Sequence, residues 1–322
     1  MRKLNILTWH IHGSYLASLT QTPHNWYVPV RTGRPARYSG RGTDSMLPPY
    51  VQEVPAGEVK HLPIDLILFQ CPENYLEDQY DILSEEQRRL PRIYLEHNTP
   101  KPHPVQSVHW VDDPTILLIH VTAFNALMWD CGRTPTTVIE HSVLIDPEIT
   151  YDGSLEEGIA VVNEFVRRDR VVGYDLYRKA LREVPLTTAG MGSAELGGLG
   201  EIHYRRLPHV MRRYRFLFSP MRYTSFPLAV VEAMTMGMPI VALATTEVPS
   251  VLLDGVHGFI SNDPEYLTAR MKLLLSDPDL ARELGNNARQ VARKRFGMER
   301  FTSDWNRVFD NVAASYSGLH IE

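Results

Sequence analysis

The stretch RYTSFPLAVVEAMTMGMPIVA, residues 222–242, decides the fold. From Pro227 to Ile240 nearly every side chain is apolar or small, and Glu232 stands among them as a lone charge. The preceding RFLFSP (215–220) reads as a buried strand. PLAVVEAMTM (227–236) reads as a helix with Pro227 at its first position, where a fixed φ and a missing N–H do no harm. Gly237 ends that helix, and MPIVALA (238–244) starts the next strand. The free N–H groups at the helix start, with their partial positive charge, suit a phosphate. A carboxylate is costly to bury unless something hydrogen-bonds it. One turn inside the helix, Glu232 can accept from the vicinal hydroxyls of a ribose, or be satisfied by backbone N–H groups; the residues alone leave both open.

Outward from this unit, short apolar runs recur along the whole chain. LNILTW, DLILFQ, RIYLEH, TILLIHV and TTVIEH lie in the first half, and GIAVVN, PLTTAGMG, RFLFSP and PIVALAT in the second. Between them lie stretches with apolar residues three or four apart, such as NALMWDCG and YDLYRKALREV. Strands alternating with helices predict α/β architecture with parallel sheets covered on both faces. The polar, acidic run TYDGSLEEG (150–158) is the expected boundary. The chain is therefore divided into two Rossmann-like doubly wound domains, 1–150 and 151–298, and a closing helix over 299–322. Two such domains are expected to face a cleft, with ligands at the carboxyl ends of the strands.

Composition bounds the function classes. The 322 residues are 43% hydrophobic and 22% charged, which is globular usage. A net charge of −5 argues against general nucleic-acid binding. Cys71 and Cys131 lie in apolar surroundings and are expected to be reduced. No run is long enough to span a bilayer, and MRKLNILTWHIHG (1–13) is too interrupted for a signal peptide. A cytoplasmic location is expected, with peripheral contact at the inner membrane face as an extension. The spacing of the 13 histidines shows no HExxH pattern, and VDDP (111–114) reads as a turn, so no metal site is expected.

Several motifs together resemble the GT-B nucleotide-sugar glycosyltransferases of family 4 (group 1). VVEAMTMGMPIVAL (230–243) is similar to the family's donor-site pattern, and VLLDGVHGFI (251–260) to the helix and turn that follow it. IHVTAFNALMWDCGRTPTTVIEHSVLI (119–145) resembles the last unit of the amino-terminal domain. AGMGSAELGGLGEIHYRRLPHVMRRYRFLFSP (189–220) resembles the loop near the base, and RFGMERFTSDWNRVFDNV (295–312) the closing helix, which in this fold crosses back toward the first domain. The resemblance covers most of residues 110–315 and implies a GT-B fold. It further implies transfer of a sugar from a UDP- or GDP-sugar to a glycan, lipid or small-molecule hydroxyl, with retained anomeric configuration and without a metal or other cofactor. Alternatives are a nucleotide-sugar epimerase on the same fold, or a non-catalytic sugar-nucleotide binder. The residues leave the oligomeric state open.

The resemblance also assigns residues. Glu232 holds the donor ribose. Arg167 and Arg168, in GIAVVNEFVRRDRVVG (158–173), meet the diphosphate, aided by the helix start at Ser225, Phe226 and Leu228. Gly192 lies near the base, and Gly13 in the first phosphate-approaching loop. His97 lines the reaction centre as the catalytic candidate, with Asn98 and His12 toward the acceptor. Arg34 represents the arginine-rich loop VRTGRPARYSGRG (30–42), which can meet an anionic acceptor or membrane face or be a flexible solvated loop. It lies in the domain where acceptors dock in this fold. The chain departs from the family pattern at Thr224, where a glutamate is usual, at Ser225 and Pro227, where glycines are usual, and at Ser250 in the Pro-Glu-Val step.

Overall fold

The structure, a computed structural model, describes residues 2–42 and 47–319, with side chains of the final helix described to residue 315. The chain forms two compact units: Met1–Leu144 with Met298–Glu322, and Ile145–Gly297.

In the first unit seven parallel strands are arranged β3-β2-β1-β4-β5-β6-β7. They are β1 (Asn5–Thr8), β2 (Asn25–Val30), β3 (Gln52–Pro55), β4 (Leu66–Phe69), β5 (Arg92–Glu96), β6 (Ile116–His120) and β7 (Thr136–Val138). Helices α1 (Gly13–Leu19), α2 (Gln79–Ile82) and α3 (Ala123–Met128) lie between strands. All four residues of β4 are buried, as a strand covered on both faces requires. Strands β2 and β4 flank β1, so the strand order reverses at β1.

The second unit holds five parallel strands in the order β12-β11-β10-β8-β9. These are β8 (Leu155–Val161), β9 (Leu186–Ala189), β10 (Tyr214–Ser219), β11 (Ile240–Ala242) and β12 (Gly258–Ile260). The helices are α4 (Phe165–Arg168), α5 (Tyr174–Ala180), α6 (Leu207–Met211), α7 (Leu228–Met236), α8 (Val248–Val251), α9 (Pro264–Ser276) and α10 (Pro278–Arg295). Asp263 and Asp277 cap α9 and α10, accepting from Glu265 N at 2.9 Å and Leu280 N at 2.9 Å, with proline next in each. Here the order reverses at β8, which has β9 on one side and β10 on the other.

The acidic run at 150–158 is not a free linker. Tyr151 N bonds Met236 O at 2.9 Å, Asp152 N bonds Arg212 O at 3.0 Å, and Leu155 already opens β8. Those backbone bonds tie the run to the second unit. The last helix, α11 (Met298–Leu319), belongs to the first unit, where Phe301, Trp305 and Phe309 enter the core at successive turns. Trp305 Nε1 donates to Tyr15 Oη at 3.2 Å, and Arg300 Nη2 donates to the carbonyls of Glu140 and His141 at 3.0 and 2.8 Å.

Helix α7 is set by glycine at its end and beside it. Gly237 closes it in the left-handed region at φ 87°. Gly285 of α10 passes so close that an added Cβ would stand 2.0 Å from the Gly237 carbonyl oxygen. A Gly285→Ala chain is expected to lose about 1–3 kcal/mol from the forced separation of the two helices. Urea unfolding measures this; an unchanged midpoint would show that the contact is not a close one.

Candidate donor and acceptor sites

In open parallel sheets ligands gather beyond the carboxyl ends of the strands, where the order reverses. In the second unit that place lies beyond β8 and β10. The loop after β8 leads through Asn163 and Glu164 into Arg167 and Arg168 of α4. Arg167 is exposed and pairs with Glu164 at 3.0 Å. Arg168 is half-buried, and no described residue accepts a hydrogen bond from its guanidinium. Burial disfavours its charge, and the neighbouring Arg167 adds to that. It is a cation without a counter-ion in its own unit.

After β10 the chain turns through Met221–Pro227 into α7. Arg222 pins the turn by a two-pronged bond to Asp175 at 2.6 and 2.7 Å. Thr245 Oγ1 donates to Met221 O at 2.8 Å, and Thr246 Oγ1 to Ser225 O at 3.3 Å. Thr224 Oγ1 lies 3.6 Å from the Met221 sulfur. Pro227 is the N-cap rather than the first helical residue, and no side chain caps the helix, so the N–H groups that begin at Leu228 face no side-chain acceptor. Phe226 is the exception in the candidate set. Its ring is buried and stacks on Phe296 with centroids 5.6 Å apart, so the side chain is core.

Glu232 lies one turn inside α7, half-buried, with no hydrogen bond or ion pair to any described residue. Desolvation alone pushes its carboxyl up to about 7 from an ordinary 4.5. The backbone-satisfied alternative fails on this point, since nothing in the unit pairs with the carboxylate. Gly192, at φ 78°, starts the short turn after β9, and that loop is tied to the loop after β8 by Met191 N donating to Asn163 Oδ1 at 3.0 Å. Ser219, at the carboxyl end of β10, has a buried hydroxyl with no partner among the described residues. Sequence reasoning missed Ser219, Arg222 and Asp175; only the position of Ser219 at a strand's end signalled it.

In the first unit the reversal lies beyond β1 and β4. His12, Gly13 and His97 come together there, the two imidazole centroids 4.0 Å apart and Tyr15 edge-on to His97 at 4.8 Å. A chain of hydrogen bonds fixes the tautomer of His97. Thr8 Oγ1 donates to Leu68 O at 3.0 Å, so it accepts from Gln70 Nε2 at 2.9 Å, which also donates to Trp9 O at 2.7 Å. Gln70 Oε1 is thereby an acceptor, and His97 Nε2, at 3.3 Å, must bear the proton. Burial holds the His97 pKa well below its ordinary value, reinforced by His12 and His141. Burial lowers His12 to about 4. Both rings are neutral at neutral pH. Gln70, the last residue of DLILFQ, was missed as the group that orients His97; its place at a strand end was the available signal.

Asn98 is exposed beside His97, its N–H donating to Glu96 Oε1 at 2.7 Å and its carbonyl accepting from Trp129 Nε1 at 2.9 Å. Glu96 is buried and also meets His109 Nε2 at 3.2 Å. Arg34 spends its fork on Glu53 at 2.7 and 3.0 Å. Its neighbours in the arginine-rich loop are engaged too. Arg31 pairs with Asp81, Arg37 with Glu77 and Asp78, and Arg41 donates to Leu47 O. Among the described residues no group of three His, Cys, Asp or Glu is placed to hold a metal ion, and no helix is long and apolar enough to cross a membrane.

These two doubly wound units are the two halves of the GT-B glycosyltransferase fold. HepE of Anabaena, in a structure containing UDP-glucose, superposes with a TM-score of 0.71 at 16% identity, over 96% of this chain and 100% of that one. Sucrose-phosphate synthase from Thermosynechococcus elongatus does so at 0.69 and 15%, over 98% and 100%. Residues 191–291, which carry Gly192, Thr224 and Glu232, match the family model for glycosyl transferases group 1. The lipopolysaccharide core biosynthesis mannosyltransferase LpcC of Rhizobium leguminosarum bv. viciae is 26% identical over 214 residues, 56% of this chain and 61% of that one. A trehalose synthase of Pyrococcus horikoshii is 28% identical over 111 residues, 33% and 27% of the two chains. The chain thus spans less than two thirds of the length of the curated relatives it matches.

A carboxyl whose pKa is higher folded than unfolded favours the folded state fully below the unfolded value, and that advantage disappears as pH rises through the folded value. For Glu232 the loss runs from about pH 4.5 to about 7. Glu232→Gln is therefore expected to be more stable than wild type above pH 7, by up to about 3 kcal/mol. The gain should vanish near pH 4.5. Thermal melts across that range measure it; a pH-independent difference would mean that the carboxyl titrates normally.

Proposed function

We propose that the protein is a glycosyltransferase that moves a sugar from a nucleotide diphosphate donor to a hydroxyl acceptor, with the donor on the second unit and the acceptor on the first. The observation that carries this is Glu232, a carboxylate enclosed beside a helix start with no partner of its own. Two vicinal ribose hydroxyls supply the two donors it lacks. Arg168 and the open N–H groups of α7 supply positive charge for the diphosphate, and stabilising a leaving anion in this way is ordinarily the largest catalytic effect. Arg167, exposed beside Arg168, joins it when its bond to Glu164 yields.

In the transfer, the bond from the sugar's anomeric carbon to the β-phosphate oxygen breaks and its electron pair leaves with the diphosphate. The acceptor oxygen bonds to that carbon, and its proton passes to the departing phosphate. Retention of configuration follows the family resemblance. A hexose on UDP or GDP is the donor we favour, with Thr224 beside the sugar; HepE was solved with UDP-glucose. His97, neutral and held by Gln70, lines the reacting face of the first unit, with His12 and Asn98 around the acceptor.

Calorimetry with UDP and GDP tests the donor site. One nucleotide should bind selectively, and Glu232→Ala should weaken it at least about tenfold, or about 1.4 kcal/mol. Because binding needs the ionised carboxylate, affinity should rise with pH through about 7 in wild type and stay flat in Glu232→Gln. No nucleotide binding, or wild-type binding by a folded Glu232→Ala, would overturn the site. Binding without turnover would favour a non-catalytic binder, and a sugar-nucleotide isomer formed without acceptor would favour an epimerase.

A further inference from the structure

Arg168 is carried by a segment whose own residues do not favour its shape. Helix α4 is four residues long, and the positions that flank it, Glu164 at φ 56° and Asp169 at φ 40°, both have positive φ. Neither is a glycine, and side chains rarely adopt such a backbone unless the surroundings impose it. The place of Arg168 therefore depends on contacts from outside the segment.

On the amino side, Glu164 N donates to Met191 O at 2.8 Å. On the carboxyl side the restraint comes from the turn after β10. Val171 O accepts from Arg222 N at 3.0 Å and from Tyr223 N at 3.2 Å, and Arg170 O accepts from Arg222 Nη1 at 2.8 Å. Asp175, in the first turn of α5, receives the Arg222 fork at 2.6 and 2.7 Å and Arg170 Nη1 at 3.0 Å. Gly173, at φ 78°, lets the chain pass where an added Cβ would stand 1.9 Å from Pro220 O. The Arg222 bond holds the Asp175 carboxyl below its ordinary pKa, against the pull of burial, so the pair is charged at neutral pH. A fork on a carboxylate fixes angle as well as distance. The same turn leads through Thr224 and Ser225 into α7. Arg222 thus joins two pieces far apart in sequence, the segment bearing Arg168 and the start of α7.

We propose that Arg222 and Asp175 are positioning residues for the diphosphate, which set Arg168 and the start of α7 as one frame for the two phosphates without touching the ligand themselves. The proposal rests on the donor-site reading of the second unit and adds the pair that aligns its two sources of positive charge.

The test is calorimetry of the full chain with UDP and GDP, and ligand-observed NMR with uridine and guanosine. Arg222→Gln and Asp175→Asn should each weaken the diphosphate that binds by about tenfold or more, and its nucleoside by less than about twofold. Arg222→Lys, which keeps the charge but loses the fork, should fall between. In an Arg168→Gln background, Arg222→Gln should cost no more than about threefold, because the cation it aligns is gone. A residue that only stabilises the unit would weaken nucleoside and diphosphate alike and add its full cost to Arg168→Gln. Either of those results, or wild-type diphosphate affinity in Arg222→Gln or Asp175→Asn, would overturn the proposal. Melting curves show which variants are folded at the assay temperature, and either one of the pair decides. Wild-type binding separates this inference from the reading beneath it. If neither UDP nor GDP binds, the donor site falls and the positioning role with it. If one binds and Glu232→Ala weakens it while Arg222→Gln does not, the positioning role alone falls.

Discussion

Where each sheet reverses its strand order determines what the molecule can offer a ligand. Crossovers between parallel strands are right-handed, so chain leaving opposite sides of a central strand departs to opposite faces and leaves a crevice. In the first unit β1 is that strand, in the second β8. The crevice collects loop residues far apart in sequence, and each side chain there is oriented by bonds to a neighbouring strand's loop. Gln70 orients His97 across β4 and β5, Asp175 anchors Arg222, and Asn163 holds the turn at Met191. Activity placed at these points inherits the rigidity of the sheets beneath.

Much of this was legible in the chain. The strand–helix–strand unit around Glu232 carries its own punctuation, a proline before the helix and a glycine after it, and the lone charge marks a carboxylate for which no described residue supplies a partner. Parallel strands are buried on both faces, so β4, the first four residues of β6 and the Phe-Leu-Phe centre of β10 announce themselves as apolar runs. Arg167 and Arg168 were adjacent in sequence and indistinguishable there. The fold separates them, giving one a glutamate and leaving the other without a partner.

What stayed hidden depends on tertiary hydrogen bonds. Four arginines in a glycine- and proline-rich loop look like a loose anion trap, yet Glu53, Glu77, Asp78 and Asp81 lie tens of residues away and engage three of them. Phe226 sits in a site motif but turns its ring onto Phe296, a residue seventy positions on. The tautomer of His97 follows from an amide oxygen that no local pattern reveals. Position at a strand's carboxyl end was readable; the partner that fixes each side chain was not.

The neutral imidazoles of the first unit and the reluctant carboxyl of the second give the protein an asymmetric response to protons. Around neutrality the rings of His12 and His97 keep their charge state. Glu232 changes charge in the same interval. At the proposed donor site, acidity would then loosen a bound nucleotide while leaving the neutral face of the first unit as it was.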